Sequence, residues 1–257
     1  MGAFRQGVVA VALALALGYA ASADAALIDQ GNGTVLDTST NLLWLKDANY
    51  ADTELDTAGR IAAIISSVGS VAGHTLVAGD FDASTGRMTW WGVVAWAQDL
   101  TFAGSGDWRL LTVTDTGTPG CNFTYNNTDC GFNVDPATGE LARLWDVSLG
   151  NTPYYDTSSF PTGCSNSPPY CFVNQSPFTD AQSYVYWSGT GYAPDPADAW
   201  YFVTTNGGQY AVFKDFPFYA WAVRPADAGV VPEPGTLGLA ALALAGLAIG
   251  GRGRRRR

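Results

Sequence analysis

Residues Trp200–Lys214 read WYFVTTNGGQYAVFK, two aromatic and β-branched runs on either side of Asn206-Gly207-Gly208. Such side chains fit a pleated, half-buried surface, and an Asn-Gly step supplies the positive φ that a tight hairpin needs. The spacing predicts strands over Trp200–Thr205 and Gln209–Lys214. Ser183–Ser188 (SYVYWS) in front and Tyr219–Arg224 behind carry the same pattern, so the end of the body reads as an antiparallel sheet.

Helical periodicity appears upstream. Within Thr138–Leu149 the spacing turns Leu141, Leu144, Trp145 and Leu149 inward, and Gly150 offers a C-terminal cap. Thr89–Leu100 places Trp90, Val93, Val94 and Ala97 on one face, which Trp91 and Ala95 widen. Ile61, Ile64, Ile65 and Val68 mark a third helix, with Asp56 as its cap. Thr34–Asp37, Asn41–Leu45 and Asp107–Thr112 are short strands, whereas 114–136 and 151–180 read as long loops. Early strands, helices, long loops and a closing antiparallel sheet define an α+β class.

Both ends differ from this body. Arg5, the apolar run Val8–Ala20 and the small-residue site around Ala23 and Ala25 form a secretory signal over residues 1–25, with cleavage after either alanine. At the other end, Pro232-Glu233-Pro234 precedes the apolar run Thr236–Gly251 and the arginines Arg254–Arg257. About 16 helical residues span roughly 24 Å, which a slightly thinned bilayer accommodates when flanking arginines snorkel. The basic end stays cytoplasmic, so the body lies across the membrane.

Between the ends, Ala26–Val231 holds seven bases against 21 acids, a net charge of −14. That balance excludes nucleic acid and anionic lipid as partners. All nine tryptophans fall in the body, which excludes a disordered filler. Cys121, Cys130, Cys164 and Cys171 form two close pairs. Export makes disulfides the expected state; three connectivities are open, and proximity favours Cys121 with Cys130 and Cys164 with Cys171.

The tail resembles the PEP-CTERM sorting signal of Gram-negative bacteria that make extracellular polysaccharide, carried by Pro232, Glu233, Pro234, the apolar run and the arginine cluster. The resemblance implies processing by exosortase, a membrane cysteine transpeptidase, and assigns residues 228–257 to the signal. Residues 26–227 resemble the Lcl C-terminal-type domain of unknown function. The motifs are Gly33–Asp37 with Asn41–Trp44, Asp107–Leu110, Tyr186–Thr190, Ala199-Trp200 and Ala222–Pro225. This second resemblance implies a fold similar to C-type lectins and the formylglycine-generating enzyme, a small twisted sheet with flanking helices and long loops.

No catalytic constellation accompanies these motifs. His74 is the only histidine, no G-x-S-x-G elbow is present, and the reading for His74 is a hydrogen-bonding residue. The reactive-cysteine chemistry of the formylglycine-generating relatives has no matching motif. The clusters Asp52/Glu54/Asp56 and Asp80/Asp82 offer oxygens for calcium but not a full calcium loop. Tyr154, Tyr155, Tyr170, Tyr192 and Phe216–Tyr219 are candidates to stack on sugars, while Trp187 and Trp200 read as core. The expectation is a non-enzymatic surface or matrix protein, associated with extracellular polysaccharide and without a cofactor or metal. The alternatives are a carbohydrate-active enzyme using two carboxylates and a calcium-dependent adhesin.

Overall fold

In the computed structural model, which describes residues 26–117, 129–165, 167–168 and 170–226, the chain opens with three short antiparallel strands, β1 (Leu27–Asp29), β2 (Thr34–Asp37) and β3 (Leu42–Leu45). Helices α1 (Tyr50–Leu55) and α2 (Arg60–Val68) follow, then two small hairpins, β4 (Ser70–Val71) with β5 (His74–Thr75) and β6 (Phe81–Asp82) with β7 (Arg87–Met88). Next come α3 (Trp90–Asp99), β8 (Arg109–Leu110) and α4 (Glu140–Arg143), which runs into a π-turn over Leu144–Ser148. The chain closes with β9 (Val185–Gly191), β10 (Asp198–Val203), β11 (Gly208–Phe213) and β12 (Ala222–Pro225). The signal at 1–25, Cys121 and the tail at 228–257 lie outside the described residues.

Two sheets carry the fold, a five-stranded one ordered β1-β2-β3-β12-β8 and a three-stranded one ordered β11-β10-β9. The last strand therefore inserts between the N-terminal meander and β8, with Val223 opposite Trp44 and Ala222 opposite Leu110. Trp221 sits at this closure. Its indole N–H donates to the Leu45 carbonyl at 2.8 Å, and its ring meets Trp44 edge-on at 5.4 Å and Phe178 at 4.8 Å. Eight of the nine tryptophans are buried; Trp91 is the half-exposed one. A side chain of that size dominates core energetics, and each buried N–H wants a partner.

Helix α3 ties the sheets to the small hairpins. Thr89 caps it, its hydroxyl accepting from the Gly92 N–H at 3.3 Å. Trp90 donates to the Ser188 carbonyl of β9 at 2.9 Å, and Trp96 donates to Glu54 Oε2 at 2.7 Å. Gly92 lets the helix approach the Asp80 carbonyl so closely that a Cβ there would collide with it.

Several expectations need correction. Asp56 does not cap the second helix; it closes α1, and Gly59, at φ 82°, precedes α2. The helix expected over Thr138–Leu149 is a single α-turn followed by a π-turn, which shifts the side chains within the element yet still buries Leu141, Leu144 and Trp145. The strand expected over Asp107–Thr112 shrinks to Arg109–Leu110, and that over Tyr219–Arg224 to Ala222–Pro225. Val203 pairs with Gly208, so the hairpin turn spans Thr204–Gly207; Gly207, at φ 76°, packs against the Trp145 ring.

The described residues of the segment 151–180 are anchored at several points. Asn151 and Asn174 exchange hydrogen bonds, Asn151 Nδ2 to the Asn174 carbonyl at 2.9 Å and the Asn174 N–H to Asn151 Oδ1 at 2.8 Å. Cys164 and Cys171 are joined in a disulfide, and the Cys171 N–H donates to the Thr205 carbonyl at 3.1 Å. Cys130 is disulfide-bonded too.

Candidate functional site

Successive residues of a strand face opposite sides of a sheet, and the three-stranded sheet is aromatic on both. One side sends Trp200 and Phe202 into buried positions. On the other, Trp187, Tyr201 and Tyr210 form a row across β9, β10 and β11, because Tyr201 pairs with both neighbours. Phe218 lies over this row, 4.8 Å from Trp187 and 5.5 Å from Tyr201 between ring centroids, and Phe216 stacks on it at 6.0 Å with 12° between planes. Tyr184 meets Phe218 edge-on at 6.3 Å.

The segment carrying these phenylalanines is fixed by backbone bonds. Met88 and Phe218 exchange N–H···O bonds at 2.9 Å, and the Trp187 indole donates to the carbonyls of Met88 and Phe216 at 3.2 Å each. Trp187 is thereby covered. Phe216 (45% exposed) and Tyr184 (43%) face solvent, Tyr201 and Phe218 are half-buried beside them, and Tyr210, also half-buried, ends the run, 5.8 Å from Tyr201 and 6.3 Å from Phe132. The result is a continuous aromatic surface with phenol hydroxyls along it. Flat apolar rings with polar tips suit the apolar faces and hydroxyls of a sugar. Burial pushes the Tyr201 phenol up, so it stays protonated and able to donate.

Of the loop aromatics singled out from sequence, Phe216, Phe218 and Tyr219 belong to this region, whereas Tyr192 is buried against Trp200 at 5.2 Å. Tyr154 packs against the main core and meets Tyr155 edge-on at 4.7 Å; Tyr170 is half-buried beside the disulfide. Tyr201 and Tyr210 were legible only as strand residues. The signal for them was their cross-strand pairing, which needs the register.

The acidic clusters are dispersed. Glu54 turns inward to Arg60, at 2.6 Å, and to Trp96. Asp80 is buried and accepts from Thr89 Oγ1 at 2.8 Å and the Val77 N–H at 2.9 Å; His74 Nε2 lies 3.0 Å from its second oxygen. The His74 ring stacks on Trp91 at 4.1 Å. Asp82 binds the Ser84 and Thr85 hydroxyls at 2.6 Å, and these bonds hold its carboxyl low. Among the described residues no three His, Cys, Asp or Glu side chains stand together so as to hold a metal ion. Burial alone pushes the carboxyl of Asp146, in the π-turn, up to about 7, and its Oδ1 has no hydrogen-bond partner; Asp198 Oδ1 is likewise unpartnered and burial raises that carboxyl too.

Residues 230–257 match the PEP-CTERM protein-sorting motif, and the match is confined to this tail. It contains Pro232, Glu233 and Pro234, and a signal of this kind marks an exported protein, transiently held in the membrane until exosortase processes it. No curated protein and no solved structure matches this chain. Among the described residues no helix is long and apolar enough to cross a membrane.

Proposed function

We propose that this protein is delivered by its sorting signal to the cell surface or extracellular matrix, where it acts by binding and not by turnover, and that the aromatic face on β9, β10 and β11 contacts polysaccharide. The carrying observation is the run Tyr210–Tyr201–Phe218–Phe216, a partly exposed aromatic surface on a protein whose tail directs it outward. A lectin-like body of the Lcl C-terminal type goes with this reading. Its motif residues Trp44, Trp108, Trp187 and Trp200 are all buried, as framework positions are. The non-enzymatic reading is supported by the engagement of His74, Glu54, Asp80 and Glu140, each held by a partner inside the fold.

Affinity electrophoresis of the mature exported protein through neutral polysaccharide gels tests the reading. Retardation that falls several-fold in Phe216→Ala and Tyr184→Ala, with unchanged melting temperature, is the expected result. Retardation indifferent to both changes removes the aromatic face from the account.

A further inference from the structure

Five of the seven bases in the acidic body lie within ion-pair distance of a carboxylate: Lys46 with Asp29, Arg60 with Glu54 and Asp99, Arg87 with Asp82, Arg109 with Glu140, and Arg224 with Asp107. Lys214 is buried, donating to the Pro196 carbonyl at 2.6 Å and lying 4.5 Å over the Trp90 ring. Arg143 is different. Among the described residues its one side-chain bond is from Nε to the Ser39 hydroxyl, at 3.3 Å, and no carboxylate lies within ion-pair distance. Asp37 is linked to it only through the serine hydroxyls, Ser148 Oγ donating to Asp37 Oδ2 at 2.8 Å and lying 3.4 Å from Ser39 Oγ. With three acids for every base in the body, an arginine left without a carboxylate is the position where an external anion has a place.

The surroundings of Arg143 say what kind of anion. Arg143 lines an open cleft of about 260 Å³ between α4, the segment 112–114 and the β2–β3 turn. Leu42 forms an apolar part of its wall, and Thr40, Thr112, Thr114 and Thr138 line it, the Thr138 and Thr40 hydroxyls already donating to the Asp135 and Asp37 carbonyls at 2.8 and 3.5 Å. Backbone pairing sets these threonines in place: the Thr114 N–H donates to the Thr138 carbonyl at 2.6 Å, and the Glu140 N–H donates to the Thr112 carbonyl at 3.1 Å. Thr112 and Thr114 are exposed, and their hydroxyls have no partner among the described residues. Glu140 also lines the cleft, yet its charge is consumed by the two-pronged bond to Arg109, at 2.7 and 2.8 Å, and by the Thr112 N–H at 2.7 Å. The cleft thus presents one cation without a carboxylate among the described residues, the two free hydroxyls of Thr112 and Thr114, and a small apolar wall.

We infer that this cleft binds a sugar acid, a pyranose ring bearing one carboxylate, with Arg143 taking the carboxylate and the Thr112 and Thr114 hydroxyls taking ring hydroxyls. A guanidinium matches a carboxylate two bonds at a time, which a lysine ammonium does not. This site is separate from the aromatic face and uses none of its residues.

Calorimetric titration of the mature exported protein with glucuronate, glucose, acetate and inorganic phosphate tests the inference. Glucuronate is expected to bind with millimolar or better affinity and the other three at least roughly tenfold more weakly. Arg143→Gln, checked by its melting temperature, is expected to lose glucuronate binding by roughly tenfold or more, and Arg143→Lys to recover part of it. Phe216→Ala is expected to leave it unchanged, which separates this site from the aromatic face. Equal binding of acetate or phosphate would reduce the cleft to a plain anion site and overturn the sugar-acid assignment. Equal binding of glucose, no binding of glucuronate, or full binding by a folded Arg143→Gln protein would overturn the role of Arg143.

Discussion

Replacing Asp146 by Asn removes a carboxyl that the fold holds in its protonated form. An aspartate ordinarily titrates near 3.8, and burial in the π-turn raises this one to about 7. Between those values the folded chain keeps a proton that the unfolded chain releases, so the contribution of Asp146 to stability falls as pH rises through the window and is level above it. Three pH units at about 1.4 kcal/mol each give about 4 kcal/mol at full burial. The side chain retains some exposure, which reduces the expected penalty at pH 8 to about 2 kcal/mol. An amide has nothing to ionise, and since Asp146 Oδ1 has no hydrogen-bond partner, the exchange sacrifices no bond there. Thermal unfolding of both proteins from pH 4 to pH 8 measures the difference. The Asn variant is expected to match the parent near pH 4 and to melt roughly 4–8 °C higher at pH 8. A gap that does not change with pH, or a variant less stable at pH 8, would refute the reasoning.

Reduction of the Cys164–Cys171 bridge, or Cys164→Ser with Cys171→Ser, opens a loop of sequence separation 7 and is expected to cost about 2–2.5 kcal/mol, read as a lower denaturant midpoint. Gly92→Ala drives a methyl group into the Asp80 carbonyl and is expected to cost about 1–3 kcal/mol, whereas Gly31→Ala, which meets no atom within 4 Å, pays only for its positive φ. The last strand lies in the middle of the five-stranded sheet, and the Ala226 N–H is bound to the Asn41 carbonyl at 2.9 Å. Even fully extended, the six steps from Ala226 to Pro232 reach only about 20 Å. Deleting residues 227–230 is therefore expected to slow removal of the tail, and a Gly-Ser insertion of the same length is not, as followed by gel mobility in the host.

The closing hairpin was legible because its signals are local: alternating aromatic runs around Asn206-Gly207 leave little choice of structure. Helix α3 was equally legible as an element, but not in its orientation. It is apolar nearly all round, so periodicity did not tell that Trp96 is buried against Glu54 while Trp91 is half-exposed and stacks on His74. Asp56 reads as a cap by residue type; the chain uses Gly59 in a left-handed conformation instead, a choice made by how α1 and α2 meet. The π-turn at Leu144–Ser148 and the insertion of β12 between β3 and β8 depend on contacts distant in sequence, which no local pattern encodes. For the same reason the aromatic row and the Arg143 cleft appear only once the strands are in register and 112–114 pairs with 138–140.

The most direct test is intact mass analysis of the protein recovered from its host, without reduction, together with the compartment in which it is found. The account predicts a chain outside the inner membrane that begins at Asp24 or Ala26, ends near Pro232–Pro234 and carries its cysteines as disulfides. A chain found in the cytosol with residues 1–257 intact and its thiols free would contradict it.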